Sequence, residues 1–332
     1  MIFCAVASVA GTAAALDGWP AREGEPDDTA RIQRAIDANP SGVLSIPPGT
    51  YRISSMLKVY NLCSIEMDKN AILRAVAEMP YVLHVATYRG LDGLPYESDR
   101  RQDCNLFVKG GRIDGNALAS CMSVEGCCHF TLRDISFLNG LKVGLMVDEK
   151  AGGYEIVADN LYFKCFKPGL AGNTALHSRG GDSHYTDCIS VNYTVGFHLE
   201  NPKTGANRLT RCHVWGNRQE MLKDSIAFWI DRSNGNILRD CYADTAQIGF
   251  FVDGSCNRLL GCTYENNRRY GLDNVTIIRH VNGRLLVADC NFGKPTEHFK
   301  VYDGCGSVVW RDITYLGFSP KDDCPGKLEY PK

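Results

Sequence analysis

The feature that most limits how this chain can fold is a five-residue pattern that returns six times between Gly144 and Arg279. It reads G-L-M-V-D (Gly144 to Asp148), A-L-H-S-R (Ala175 to Arg179), G-F-H-L-E (Gly196 to Glu200), A-F-W-I-D (Ala227 to Asp231), G-F-F-V-D (Gly249 to Asp253) and V-T-I-I-R (Val275 to Arg279). Each copy closes a stretch of about 20 to 30 residues, a solenoid period, and the pattern is one of strands. Strands alternate faces with period two. Leu145, Leu176, Phe197, Phe228 and Phe250 are therefore expected to point inward. Met146, His177, His198, Trp229 and Phe251 then point outward, as do Asp148, Arg179, Glu200, Asp231 and Asp253. Stacking in parallel at about 4.8 Å per step predicts two outward rows, one aromatic and imidazole, the other mostly carboxylate.

A solenoid escapes the size limit of a globular core because each coil contacts only its neighbours. The 332 residues are thus expected to form one domain without a linker. Residues 1–60 would hold an amino-terminal cap and first coil, 104–316 the regular coils and 317–332 a tail. A net charge of −2 predicts no bulk attraction to nucleic acid or membrane. Arg268-Arg269 reads as a pair of solvated turn residues.

Five of the 15 cysteines (Cys188, Cys212, Cys241, Cys262 and Cys290) fall at one position of successive coils. Free cysteine packs as a small hydrophobe, which predicts a reduced interior row. The odd total also argues against complete pairing. Neither Cys127-Cys128 nor the histidines show zinc-type spacing, so neither a structural metal nor a cofactor is expected. The apolar start, Met1 to Ala15, fits either a signal peptide or a first strand. The missing basic n-region favours the strand. Together with the unpaired cysteines this favours a cytoplasmic location, with secretion as the alternative.

Asp27 to Ala38 is the clearest helix, with Asp28 or Thr29 as cap and Ile32, Ala35 and Ile36 on one face. Gly42 to Tyr51 follows as strand, Pro-Gly turn and strand. Together D-G (Asp17-Gly18), D-D-T-x-x-I-Q-x-A-I (Asp27 to Ile36) and G-x-L-x-I-P-x-G-T-Y (Gly42 to Tyr51) resemble the amino-terminal cap of the pectate-lyase superfamily. That superfamily includes polygalacturonase-like glycoside hydrolases, polysaccharide lyases and phage tailspike depolymerases. G-G-R-I-D-G-N (Gly110 to Asn116) is similar to a non-catalytic segment of polygalacturonases. The resemblance implies an all-β, single-stranded right-handed parallel β-helix with an amino-terminal capping helix. Later coils run Cys104–Glu125, Cys128–Asp148, Tyr154–Arg179, His184–Glu200, Asn207–Asp231, Asn236–Asp253, Asn257–Arg279 and Arg284–Asp303. Asn207, Asn236 and Asn257 open three of them, in a structural role. The segments Lys164 to Thr174 and Gly216 to Lys223 are the loops expected to wall a cleft.

Cleavage of a glycosidic bond needs one carboxylic acid to protonate the leaving oxygen and a second carboxylate to activate water or attack. Glu200, Asp231 and Asp253 offer such pairs on adjacent and alternate coils, and crowding of like charge is expected to raise one of them. Trp229 and Phe251 are candidates to stack on sugars, His177 and His198 to donate or move protons, and Arg179, Lys142, Arg218 and Lys223 to bind a substrate carboxylate. A row of outward acids is also what a merely solvated face provides. The N-T-D, D-D, G-H-G and R-I-K set of polygalacturonases does not occur, so these residues are nominated by repeat geometry alone. The reading is a glycoside hydrolase acting on a poly- or oligosaccharide, as monomer or homotrimer. The alternatives are a polysaccharide lyase using a divalent cation on the acids, an inulin-fructotransferase-type enzyme, and a non-catalytic glycan-binding or tail-fibre-like solenoid.

Overall fold

The computed structural model describes residues 14–86, 105–148, 154–167, 169–201, 205–266, 272, 274–292 and 299–315. Within them the chain winds through three sheets of twelve, ten and eleven strands. Each coil gives one short strand to each sheet in turn, as Arg208–Thr210, His213–Trp215 and Ile226–Asp231 do. Neighbouring strands pair in parallel throughout. The ten-stranded sheet carries the recurring pattern. Its strands are β1 (Leu57–Val59), β2 (Tyr81–Ala86), β3 (Ser120–Glu125), β4 (Val143–Asp148), β5 (Thr174–Ser178), β6 (Val195–Glu200), β7 (Ile226–Asp231), β8 (Ile248–Asp253), β9 (Val275–Asn282) and β10 (Phe299–Gly304). A full coil therefore precedes residue 104, made of Ser64–Met67, Ala71–Ala75 and β2.

The corner between the twelve- and eleven-stranded sheets is turned by one residue in the left-handed region. In the five coils that carry the cysteine row it is Asp187, Arg211, Asp240, Gly261 or Asp289, with φ of 52–64°. Asp and Gly adopt this conformation readily. Arg211 does not, and its side chain is tied to Asp187 one coil back at 2.7 Å. The residue after each corner is the interior cysteine, free and at most 1% exposed in all five coils. Several thiols donate to carbonyls of the preceding coil: Cys212 to Tyr185 at 3.4 Å, Cys241 to Leu209 at 3.5 Å and Cys262 to Leu238 at 3.4 Å. Burial pushes the Cys188 and Cys241 thiols well above their ordinary range, which keeps them protonated.

Inside the ten-stranded sheet Leu145, Leu176, Phe197, Phe228, Phe250 and Ile278 stand in register, all at most 1% exposed. The three phenylalanine rings stack at 5.4 and 5.3 Å. Each buried ring contributes roughly 1.5–3 kcal/mol. Strict alternation fails one residue earlier. A Cβ on Gly196 would sit 2.5 Å from the Val214 side chain, and one on Gly249 would sit 2.5 Å from the Tyr264 ring. These strands thus carry two inward positions in succession, and at Gly196 and Gly249 the first has no room for a side chain because one from a neighbouring sheet fills that space.

Helix α1 (Thr29–Asp37) buries Ile32, Ala35 and Ile36 completely. Neither expected cap residue caps it. The Asp27 carboxylate accepts from Thr29 N, whereas Asp28 accepts from Arg52 N and the Thr29 hydroxyl accepts from Ser54 N. The Gln33 amide accepts from Lys58 N and donates to Lys58 O, as a neighbouring strand would. These side chains satisfy the outermost strands Gly49–Ile53 and β1, which otherwise present open edges. Ala14–Ala15 is a strand paired with Val43–Ile46. Residues 1–13, Cys104, Arg268-Arg269 and the tail from 317 lie outside the described residues.

Candidate functional site

On the outer face of the ten-stranded sheet Met146, His177, His198, Trp229, Phe251 and Arg279 stand in one register. Their common spacing turns the repeat into a continuous stack. His177 and His198 lie face to face at 4.2 Å, and His198 and Trp229 at 4.1 Å. Phe251 tilts by 60° against Trp229 at 5.7 Å, and the Arg279 guanidinium lies 5.6 Å from its centroid. His198 thus covers one face of Trp229, and the Arg279 guanidinium lies over one face of Phe251.

Burial lowers both imidazoles. His198 falls to about 4, with His177 adding to the shift, and His177 is lowered although Glu200 opposes it. Both rings are neutral at pH 7. His198 Nε2 and Trp229 Nε1 are buried and have no hydrogen-bond partner among the described residues.

The neighbouring row carries the acids. Glu200 pairs with Asp231 in register, and Ile230 with Val252, which sets Asp253 beside Asp231. Glu200, Asp231 and Asp253 thus close three successive strands of one sheet, and all three are partly exposed. Glu200 is densely paired. Its Oε2 lies 3.0 Å from His177 Nε2 and 3.1 Å from Arg179 Nε, and its Oε1 accepts from Arg232 at 2.7 Å. Arg232 also reaches Asp231 at 3.1 Å, and His198 Nε2 is 3.5 Å from Asp231 Oδ2. Asp253 accepts from the Asn282 amide at 2.9 Å, where a register shift on β9 brings that side chain across. No ion pair to Asp253 occurs among the described residues.

Like-charge crowding does not raise Glu200. Burial pushes its carboxyl up, but Arg179 and His177 outweigh burial and hold it below the ordinary value. A further cation reaches Glu200 from Arg232, a residue the pattern reading passed over. It directly follows Asp231, and its φ of 50° turns the chain so that the guanidinium folds back between the two acids. The visible signal was its place next to the pattern's closing acid. A further regularity emerges from the same geometry. An imidazole on one strand meets the closing acid of the next at His84–Glu125 (3.6 Å), His177–Glu200 and His198–Asp231.

Lys223 is not brought to the acids. It follows α2 (Gln219–Leu222) at the entry of β7, and Asp231 closes that strand about 16 Å further on. Lys142 and Arg218 likewise precede the strands β4 and β7. The connectors 165–173 and 216–225 enter the sheet on this same side. The Asp148 side chain lies outside the described residues.

Residues 120–277 match the family model described as a right handed beta helix region. No curated protein matches the chain in sequence. In structure it is similar to the enzymatically active domain of bacteriophage CBA120 tailspike protein 2, at 11% identity and a TM-score of 0.62 over 96% of this chain and 54% of that one. It is similar to endo-xylogalacturonan hydrolase from Aspergillus tubingensis, at 13% identity and 0.53 over 90% and 92%. ORF18 of Geobacillus virus E2 shares 13% identity and a TM-score of 0.51 over 92% of this chain, which spans 62% of that one. The three stacked parallel sheets and these likenesses establish one architecture: the chain folds as a right-handed parallel β-helix.

Proposed function

We propose that the protein is a carbohydrate-active enzyme that hydrolyses a glycosidic bond in a poly- or oligosaccharide, with Asp253 as the acid and Asp231 as its partner carboxylate. The observation that carries this reading is two partly exposed acids at the ends of adjacent paired strands, with unequal surroundings. Asp231 is ion-paired with Arg232, whereas Asp253 has only an amide donor among the described residues. Glycoside cleavage requires one carboxyl that donates a proton and a second that acts as carboxylate. One strand step of about 4.8 Å suits the short carboxylate separation of retaining enzymes, in which the anion attacks the sugar and water later releases it. Glu200 fixes Arg179 and Arg232 in place. The neighbouring fold named a hydrolase and the one named an enzymatically active tailspike domain support the substrate class.

A panel of polysaccharides assayed for new reducing ends tests the reading. Asp253→Asn and Asp231→Asn should each lower the rate about 10²- to 10⁴-fold with little change in melting temperature. Unsaturated, ultraviolet-absorbing products lost with a chelator would replace hydrolysis by lyase chemistry. One observation favours a glycan-binding solenoid instead: the imidazole, aromatic and Glu200 side chains are already engaged with each other. Tight binding by the parent without any cleavage would select that reading.

A further inference from the structure

We propose that a cavity at the entry edge of the ten-stranded sheet binds the acetamido group of an N-acetylated amino sugar. The cavity measures about 550 Å³ and lies where the connectors before β2, β3 and β4 reach the sheet. That volume falls within the roughly 300–1,000 Å³ usual for small-ligand sites. Glu78 and Met79 line it from the first connector, Leu118 from the second, and Leu141 and Lys142 from the third, with Tyr81 at the start of β2. The site is separate from the proposed catalytic acids. Asp231 and Asp253 close β7 and β8, so three strand steps and the length of a strand put them roughly 20 Å away.

The walls have used their backbone groups on one another. Met79 N donates to Leu118 O at 3.5 Å, Ser120 N to Pro80 O at 3.2 Å and Leu141 N to Ala119 O at 2.9 Å. The Ser120 hydroxyl oxygen accepts from Val143 N at 3.3 Å. What stays open is one anion, one cation and an apolar floor. Glu78 and Lys142 are exposed and make no ion pair or side-chain hydrogen bond among the described residues. Met79 and Leu118 rest on the core, and Leu141 is 38% exposed. A carboxylate only accepts, an ammonium only donates, and the floor takes hydrocarbon. A secondary acetamide presents the complement of all three: an N–H for Glu78, a carbonyl oxygen for Lys142 and a methyl group for the floor. Tyr81 adds an aromatic wall with a polar tip. A uronate would satisfy Lys142 but set its own charge against Glu78, and a plain hexose would leave the floor uncovered.

The inference stands whether or not the protein cleaves a glycan, and its test reads binding. N-acetylglucosamine and N-acetylgalactosamine are titrated into the full chain, and magnetisation transfer from protein to sugar protons is recorded. The acetyl methyl should receive the strongest transfer for at least one of the two sugars. Glucose and glucosamine should bind about tenfold more weakly or worse, because each leaves part of the site unmatched. Lys142→Met and Glu78→Ala should each weaken binding about tenfold, while Asp231→Asn and Asp253→Asn leave it unchanged. No binding by either acetylated sugar, equal affinity for glucose, or unchanged affinity in Lys142→Met overturns the site. So does binding lost in Asp253→Asn and kept in Lys142→Met, which would seat the sugar at the acids. Should Lys142→Met fail to fold, Glu78→Ala decides in its place: weaker binding supports the site, and unchanged affinity sinks it.

Discussion

Two stacks of side chains climb the same coils and end in opposite states of hydrogen bonding. At one corner Asn207 donates to Asn236 at 3.1 Å, and Asn236 donates to Asn257 at 3.0 Å. Each Oδ1 also takes a backbone N–H from the coil before, and Asn257 Nδ2 closes the series on Ser233 O. All three asparagines are fully buried and their amides are satisfied. On the outer sheet face His177, His198 and Trp229 stack just as closely, yet Trp229 Nε1 makes no hydrogen bond and His198 Nε2 has only the Asp231 carboxylate at 3.5 Å. Stacking alone therefore does not mark function. A ladder that closes its own bonds holds the coil together, and a ladder that leaves donors and acceptors open has capacity for a ligand.

The sharpest way to break the comparison is at Asn236. An Asn236→Ala chain loses the acceptor of Asn207 N and Asn207 Nδ2 and the donor to Asn257, all in a dry interior. Leaving buried groups unpaired at about 1–3 kcal/mol each predicts a loss on the order of 3 kcal/mol in urea unfolding. A loss under about 1 kcal/mol would mean that water or neighbouring groups replace the ladder, and the contrast would lapse.

Much of this was legible in advance, and the reason is periodicity. The inward Phe197, Phe228 and Phe250, the cysteine row and the asparagine ladder each repeat once per coil, so a single strand reading extends to all. What does not repeat was missed. Arg232 has no counterpart in the other copies, and only its left-handed φ aims it at Glu200. The coil over 64–86 lacks the G-x-x-x-D ending, because β2 closes on Val85-Ala86 and not on an acid. Trp229 and Phe251 were placed on the correct face, but period two says nothing about rings leaning along the stack and covering one another.

Acid sharpens the comparison next. His280 belongs to the satisfied class: Nε2–H donates to Asn282 O at 2.7 Å, Nδ1 lies 3.3 Å from the Tyr302 hydroxyl, and the residue is fully buried. Burial lowers its pKa below the ordinary histidine value. The unfolded chain then takes up the proton first as pH falls, so stability is intact above about 6.5 and declines from there until the folded state also protonates. Thermal melts between pH 7.5 and 5 should show this decline in the parent and a shallower one in His280→Gln. Equal slopes would show that His280 carries no share of the acid sensitivity.

The smallest effect probes the open ladder from the side that should not matter to the coil. Trp229 Nε1 has no partner to lose, so Trp229→Phe removes an unsatisfied donor while keeping a ring between His198 and Phe251. The smaller ring gives up some packing, and deleting the stranded N–H returns part of its desolvation cost. The two should nearly cancel, leaving stability within about 1 kcal/mol of the parent. If the indole N–H instead meets a glycan, affinity for that glycan should fall several-fold in the same variant. Were Trp229→Phe to cost stability on the scale of Asn236→Ala, the outer stack would be as structural as the inner one, and open bonding capacity would no longer tell a ligand surface from a scaffold.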